Sequence, residues 1–167
     1  MSGWIGFSER RSFSRDRSGA QTRGIGLTEK VITKLTMIIP SLPDQIQLVE
    51  EKGEQMAALA GFSEDDRDNM AIALTEVVAN AIYHGNKGNP EKTVTICFRV
   101  CKGCITIEIT DEGDGFNPHS IADPLQPENL LKDSGRGIFI VRALMDSVKY
   151  RFKANAGTTV VLSKHVT

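Results

Sequence analysis

The run Glu76-Val77-Val78-Ala79-Asn80-Ala81-Ile82-Tyr83-His84-Gly85-Asn86 sets a carboxylate and a carboxamide four residues apart inside an otherwise apolar segment. On a helix, positions i and i+4 share a face. Steps of about 100° per residue gather Leu74, Val77, Val78 and Ala81 on one arc. Glu76 and Asn80 fall on another arc, flanked by Ala73 and Ala79 rather than by charges. A solvated helix face normally carries Lys and Glu. A polar pair among small apolar neighbours reads instead as a buried polar pair or as one aimed at a ligand. A metal-bound phosphate is a good candidate for that ligand, because amide and carboxylate oxygens suit hard cations.

Working outward, the helix has a clear start. Ser63-Glu64-Asp65-Asp66 is a capping-box-like sequence with an acidic first turn, and Gly85 with Asn86–Pro90 closes the helix near His84. Upstream, Lys34–Pro40 reads as a strand in a domain that begins near Thr33. Pro43 and Asp44 then open a helix that runs to about Leu59 and ends at Gly61. Downstream, Thr93–Cys101 and Cys104–Thr110 are β-rich runs joined by Lys102-Gly103, a hairpin signal. A glycine-rich loop, Asp111–Asn117, and an irregular stretch, 118–133, follow. Gly135-Arg136-Gly137 opens a helix at Ile138–Met145. Strands near Ser147–Ala154 and Thr158–Lys164, joined at Asn155-Ala156-Gly157, end the chain. The order β, α, α, β, β, loop, α, β, β predicts an α/β two-layer sandwich. Its sheet is mixed but mostly antiparallel, with the helices on one face.

Composition narrows the function classes. The 167 residues favour one domain, and 40% hydrophobic with 25% charged residues are globular values. A net charge of −1 gives no argument for nucleic acid or an anionic membrane as partner. No apolar run approaches the roughly 20 residues that span a bilayer, and no apolar stretch follows the N-terminal charges as in a secretory signal, so the expected address is the cytoplasm. Residues 1–30 are rich in Ser, Gly and Arg and read as a flexible basic tail, with the folded domain over 31–167. Of the three cysteines, Cys101 and Cys104 bracket a turn without a second ligand pair at metal spacing, and all three read as structural thiols.

Two glycine patterns carry further chemistry. Asp111-x-Gly113-x-Gly115 follows a strand directly, where glycines let backbone approach a ligand and the carboxylate can accept from an exocyclic amine. Alone, it also fits a solvated acidic turn. Ser134-Gly135-Arg136-Gly137 precedes an apolar helix, a junction whose free N–H groups attract anions, with Arg136 offering a charge-assisted contact to phosphate. Alone, it also fits a capped helix start with a solvated Arg. Neither is a P-loop, since no Lys-Ser/Thr follows, and neither makes a convincing Rossmann turn.

In order, ExxxN on a helix, DxGxG after a strand and SGxG at a helix start resemble the N, G1 and G2 boxes of the GHKL ATPase superfamily. The segments Glu76–Gly85 and Gly135–Asp146 are especially similar to its anti-sigma factor serine/threonine-protein kinase branch, and the resemblance spans about 33–165. It implies a Bergerat-type ATP-binding fold with ATP and Mg²⁺. It further implies Glu76 as base toward the attacking hydroxyl, Asn80 as Mg²⁺ ligand, Asp111 on adenine, Gly113 and Gly115 beside the nucleotide, and Gly135, Arg136 and Gly137 at the phosphates. His84 matches the branch's helix motif, and it also fits a helix-end histidine favoured by the dipole. The implied partners are a STAS-domain anti-sigma factor antagonist, a sigma factor and a second copy in a homodimer. One departure stands out: Lys132 and Asp133 occupy positions where active branch members can carry an arginine. A non-catalytic binding module of the same fold therefore remains open. The catalytic half of a histidine kinase is disfavoured, since it needs a phospho-accepting helical hairpin for which the chain has no upstream room.

Overall fold

A computed structural model describes residues 30–114, 133–152 and 156–166. Its elements are strand β1 (Val31–Pro40), helices α1 (Gln45–Ala60) and α2 (Glu64–Asn80), a π-helical turn (Ala81–Gly85), strands β2 (Thr93–Cys101) and β3 (Cys104–Asp111), helix α3 (Asp133–Leu144), and strands β4 (Ser147–Phe152) and β5 (Thr158–His165). The five strands form one sheet in the order β1-β2-β3-β5-β4. The expected mixed sheet is antiparallel at all four pairings, because each neighbouring pair runs in opposite directions.

Strand alternation builds the core side. Val94, Ile96, Phe98 and Val100 of β2 and Ile105, Ile107 and Ile109 of β3 are all buried beneath the helices. The helices answer with narrow stripes. Val49, Gly53, Ala57 and Ala60 line α1, and Met70, Ala73, Leu74, Val77 and Val78 line α2. The opposite sheet face carries short polar side chains, with Thr106 beside Ser163 at 3.4 Å and Thr110 beside Thr159 at 2.9 Å. It also carries an ion ladder in which Glu108 accepts from Arg99 at 2.7 Å and from Arg151 at 3.1 Å.

Local signals set the helix ends. Gly61, at φ 91°, and Phe62 return N–H bonds to Ala58 and Ala57, a Schellman stop for α1. The Ser63 hydroxyl accepts the Asp66 N–H at 3.2 Å and starts α2. Helix α2 does not run as one α-helix to His84. It ends at Asn80 and passes into the π turn, where the Asn86 N–H bonds the Ala81 carbonyl at 2.8 Å. Helix α3 begins at Asp133, five residues before the expected Ile138. Cys101 and Cys104, opposite each other across the two-residue turn with Cα atoms 5.0 Å apart, form a disulfide where thiols were expected. Cys97 is free.

Candidate functional site

Glu76 and Asn80 lie off the buried stripe of α2, and both are half-buried. The Asn80 amide donates from Nδ2 to Glu76 Oε1 at 3.4 Å. An ionised carboxylate only accepts, so this bond turns Asn80 Oδ1 away as a spare oxygen donor. Gly137 of α3 closes the other side of Glu76. A Cβ on Gly137 would overlap Glu76 Oε1 and stand 2.5 Å from its Cδ. The arc that separated this pair from Leu74, Val77, Val78 and Ala81 is therefore real: those four are buried, whereas the polar pair is half-buried with Gly137 backbone against Glu76.

About one turn further along, Gly85 packs against Asp111. This carboxylate is buried at the end of β3, and Oδ1 accepts two backbone N–H bonds, from Gly113 at 2.9 Å and Thr158 at 3.1 Å. Oδ2 makes no bond among the described residues. It lies against Gly85, whose Cβ, if present, would sit 2.6 Å away. Gly157, at φ 80°, brings the β5 turn onto the Asp111 carbonyl at a distance that admits no side chain. Asp111 is thus fixed through one oxygen and keeps the other available to a donor.

Asn86 ties these two halves together. Its Nδ2 donates to Ser41 Oγ at 2.7 Å and to the Thr93 carbonyl at 2.8 Å. Its Oδ1 accepts the Glu112 N–H at 2.8 Å, and Ser41 in turn donates to the Lys92 carbonyl at 2.9 Å. The residue is 1% exposed, so its amide is shielded from water even where its partners at Thr93 and Glu112 are only partly buried. Sequence reasoning took Asn86 as a turn residue and missed Gly157 and Thr158 by treating them as hairpin parts. A carboxamide directly after a helix-ending glycine fits a solvated turn equally well, and only the long-range partners tell the two apart.

Gly115 and Lys132 lie outside the described residues, as do residues 1–29, and for Gly135 and Arg136 the description extends only to their place in α3. A helix starting at Asp133 leaves the N–H groups of its first turn free, Gly135 included, but engages the Gly137 N–H with the carbonyl four residues back. The described part of the glycine loop is bonded at Asp114 by Lys87, whose ammonium lies 2.7 Å away and holds that carboxyl below the ordinary carboxylate range. His84 is exposed. Among the described residues, no group of three or more His, Cys, Asp or Glu side chains could hold a metal ion by itself. A single spare amide oxygen fits Mg²⁺, which keeps waters and takes its remaining oxygens from substrate phosphates.

Comparison with known proteins agrees with this geometry. Residues 39–164 match the histidine kinase-like ATPase domain. The chain is 30% identical over 139 residues to serine-protein kinase RsbW of Staphylococcus epidermidis, covering 79% of this chain and 86% of that protein. It is 25% identical over 139 residues to serine-protein kinase RsbW of Listeria innocua, covering 80% and 87%. A crystal structure of RsbU and RsbW domains from Mycobacterium tuberculosis shares the fold with a TM-score of 0.58 at 17% identity. That match covers 80% of this chain and spans about a third (32%) of the larger one. The chain belongs to the histidine kinase-like ATPase family, on the branch of the RsbW serine-protein kinases.

Proposed function

We propose that this chain is an ATP-dependent serine/threonine-protein kinase and anti-sigma factor, which phosphorylates a STAS-domain antagonist and sequesters a sigma factor in a partner switch. The observation that carries this reading is the continuous segment from Glu76 to Asn86. It holds a carboxylate and a spare amide oxygen at one end and packs on the buried Asp111 at the other. Kinship with proteins named serine-protein kinase RsbW supports it.

In this reading Asp111 Oδ2 accepts from the adenine amine, while Gly113 and Gly115 admit the nucleotide close to backbone. Gly135 and Arg136, in the first turn of α3, meet the phosphates. Asn80 Oδ1 holds Mg²⁺, which when bound neutralises phosphate charge. Glu76 takes the proton of the acceptor serine or threonine hydroxyl. The hydroxyl oxygen bonds the γ-phosphorus while the bond to the bridging oxygen of ADP breaks. Residues 31–167 form the kinase domain, with a basic tail at 1–30 and a cytoplasmic setting. Among the described residues no helix is long and apolar enough to cross a membrane, and neither a membrane nor a nucleic acid is proposed as partner. The chain acts as a homodimer: edge strand β1 leaves Ile32 and Ile38 61% and 67% exposed, and bare apolar edges favour pairing. Sedimentation as a single species of monomer mass would remove that part.

Incubation with γ-labelled ATP and a STAS-domain antagonist tests the whole. Labelled antagonist is expected, with Glu76→Gln slowing transfer by about 100-fold or more and Asn80→Ala weakening Mg-ATP binding. A second reading, a nucleotide- or partner-binding module without transfer, is favoured by Lys132 and Asp133 in place of an arginine. Mg-ATP binding with the antagonist left unlabelled would select it.

A further inference from the structure

We infer that Gly137 is a positioning residue for Glu76: its bare α-carbon is the floor on which the carboxylate rests. This rests on the reading of Glu76 as base and goes beyond it, because α3 then orients the base. A glycine at the fifth position of a helix weakens that helix relative to alanine, so its presence asks for a reason. The ordinary reason, a backbone N–H lent to phosphate, does not apply, since that N–H is engaged within the helix.

The packing supplies another reason. Gly137 and Val141 form the buried stripe of α3, and Met145, one residue past its end, continues it at the same interval of four. Val141 is 1% exposed and Met145 6%, and the Met145 N–H bonds the Val141 carbonyl at 3.1 Å. The far end of α3 is pinned where Lys164 Nζ donates to the Leu144 carbonyl at 3.0 Å. With the rest of the stripe plugged into the core, position 137 cannot swing away from α2. Any side chain there is driven into Glu76, whose Oε1, Cδ and Cγ already fill the space of a methyl group. Asn80 Nδ2 holds the carboxylate from its own helix and Gly137 holds it from the next. A long, flexible side chain is thereby confined between two elements, which is what a base must be to meet a hydroxyl in line.

The test joins stability to kinetics. In an ordinary helix interior Gly→Ala raises Tm. Here Gly137→Ala is expected to lower Tm in the otherwise unchanged chain and to raise it in a Glu76→Ala background, where the space is vacant. The same substitution should slow single-turnover phosphate release from Mg-ATP, with water as acceptor, by about 100-fold while leaving the Mg-ATP Kd unchanged. A Gly137→Ala chain that fails to fold while the double variant folds supports the contact. Failure of both to fold, a Tm that rises in both backgrounds, or a lost Mg-ATP affinity at full turnover overturns the proposal. If Glu76→Gln retains full turnover, the reading of Glu76 as base fails, and the Tm pair still decides whether the contact exists.

Discussion

Asn86 carries more hydrogen bonds than any other described side chain near the site, and its loss is expected to be costly. Replacing it with alanine removes a partner from the Ser41 hydroxyl, the Thr93 carbonyl and the Glu112 N–H, the first of these contacts buried and the other two partly so. Each lost bond is worth about 0.5–1.5 kcal/mol, so Asn86→Ala should lose about 3 kcal/mol in urea unfolding. The substitution also frees the glycine loop from the end of α2, so ATP affinity should fall with stability. At this scale the sequence was uneven. Glu76 and Asn80 announced themselves because acidic and amide groups are rare among small apolar neighbours. Asp111 was legible from its place at a strand end before glycines. Asn86, Thr158 and Gly157 were not, because their roles are made by partners 7 to 47 residues away in the chain.

Among the elements, α3 is held by a polar contact at its end as well as by its buried stripe. Lys164 reaches from β5 to its last carbonyl and also pairs with Asp66 of α2 at 3.2 Å, with the lysine side chain only 13% exposed. A cation at a helix C-terminus is favourable, and a shielded pair is worth more than a surface one. Lys164→Met, which keeps the stem and removes the charge, should cost about 1–2 kcal/mol by thermal unfolding and loosen α3 first. Amide exchange would report the latter as earlier loss of protection in 137–144 than in α2. The strands and the first two helices were legible to within a few residues, since alternation and capping are local. The start of α3 and the π turn were not. A period of 3.6 does not register one extra residue, and Asn86, which closes the turn on the Ala81 carbonyl, is itself held by a bond to the sheet.

For the whole molecule, the open sheet face brings a pH dependence. The Arg99 guanidinium bonded to Glu108 holds that carboxyl below its usual value of 4.5. A carboxyl depressed on folding contributes stability that is fully present above its unfolded pKa and is lost as pH falls through the folded one. Stability should therefore decline below pH 4.5, and Glu108→Gln should flatten that part of the curve while lowering the plateau above it. Denaturant midpoints measured from pH 3 to pH 7, about the span of the carboxylate titration, check both limbs. High salt should shrink the effect, because the arginines are partly exposed. The layer architecture behind this face was legible from element order alone, and so was the segregation of helices to the other side. The absence of a parallel pair among the described strands was not, since strand order follows from which edges meet and no local pattern encodes that.

The π turn has a metrical consequence. From Glu76 to Gly85 the backbone is a rod of nine steps, about 13 Å long at the usual helical rise, with one residue more than its winding requires. That surplus residue sets the angular phase between the two ends. Deleting any one of Ala81, Ile82 or Tyr83 would restore the α period and turn Gly85 by about 100° relative to Asn80. With the roles proposed above, the rod would work as a gauge with a built-in offset: its length separates Asp111, packed on Gly85, from Glu76 and Asn80, and its phase would turn both ends toward one ligand. A nucleotide too short to bridge that separation would engage one end only, so the chain should distinguish nucleotides by length before it distinguishes them by charge.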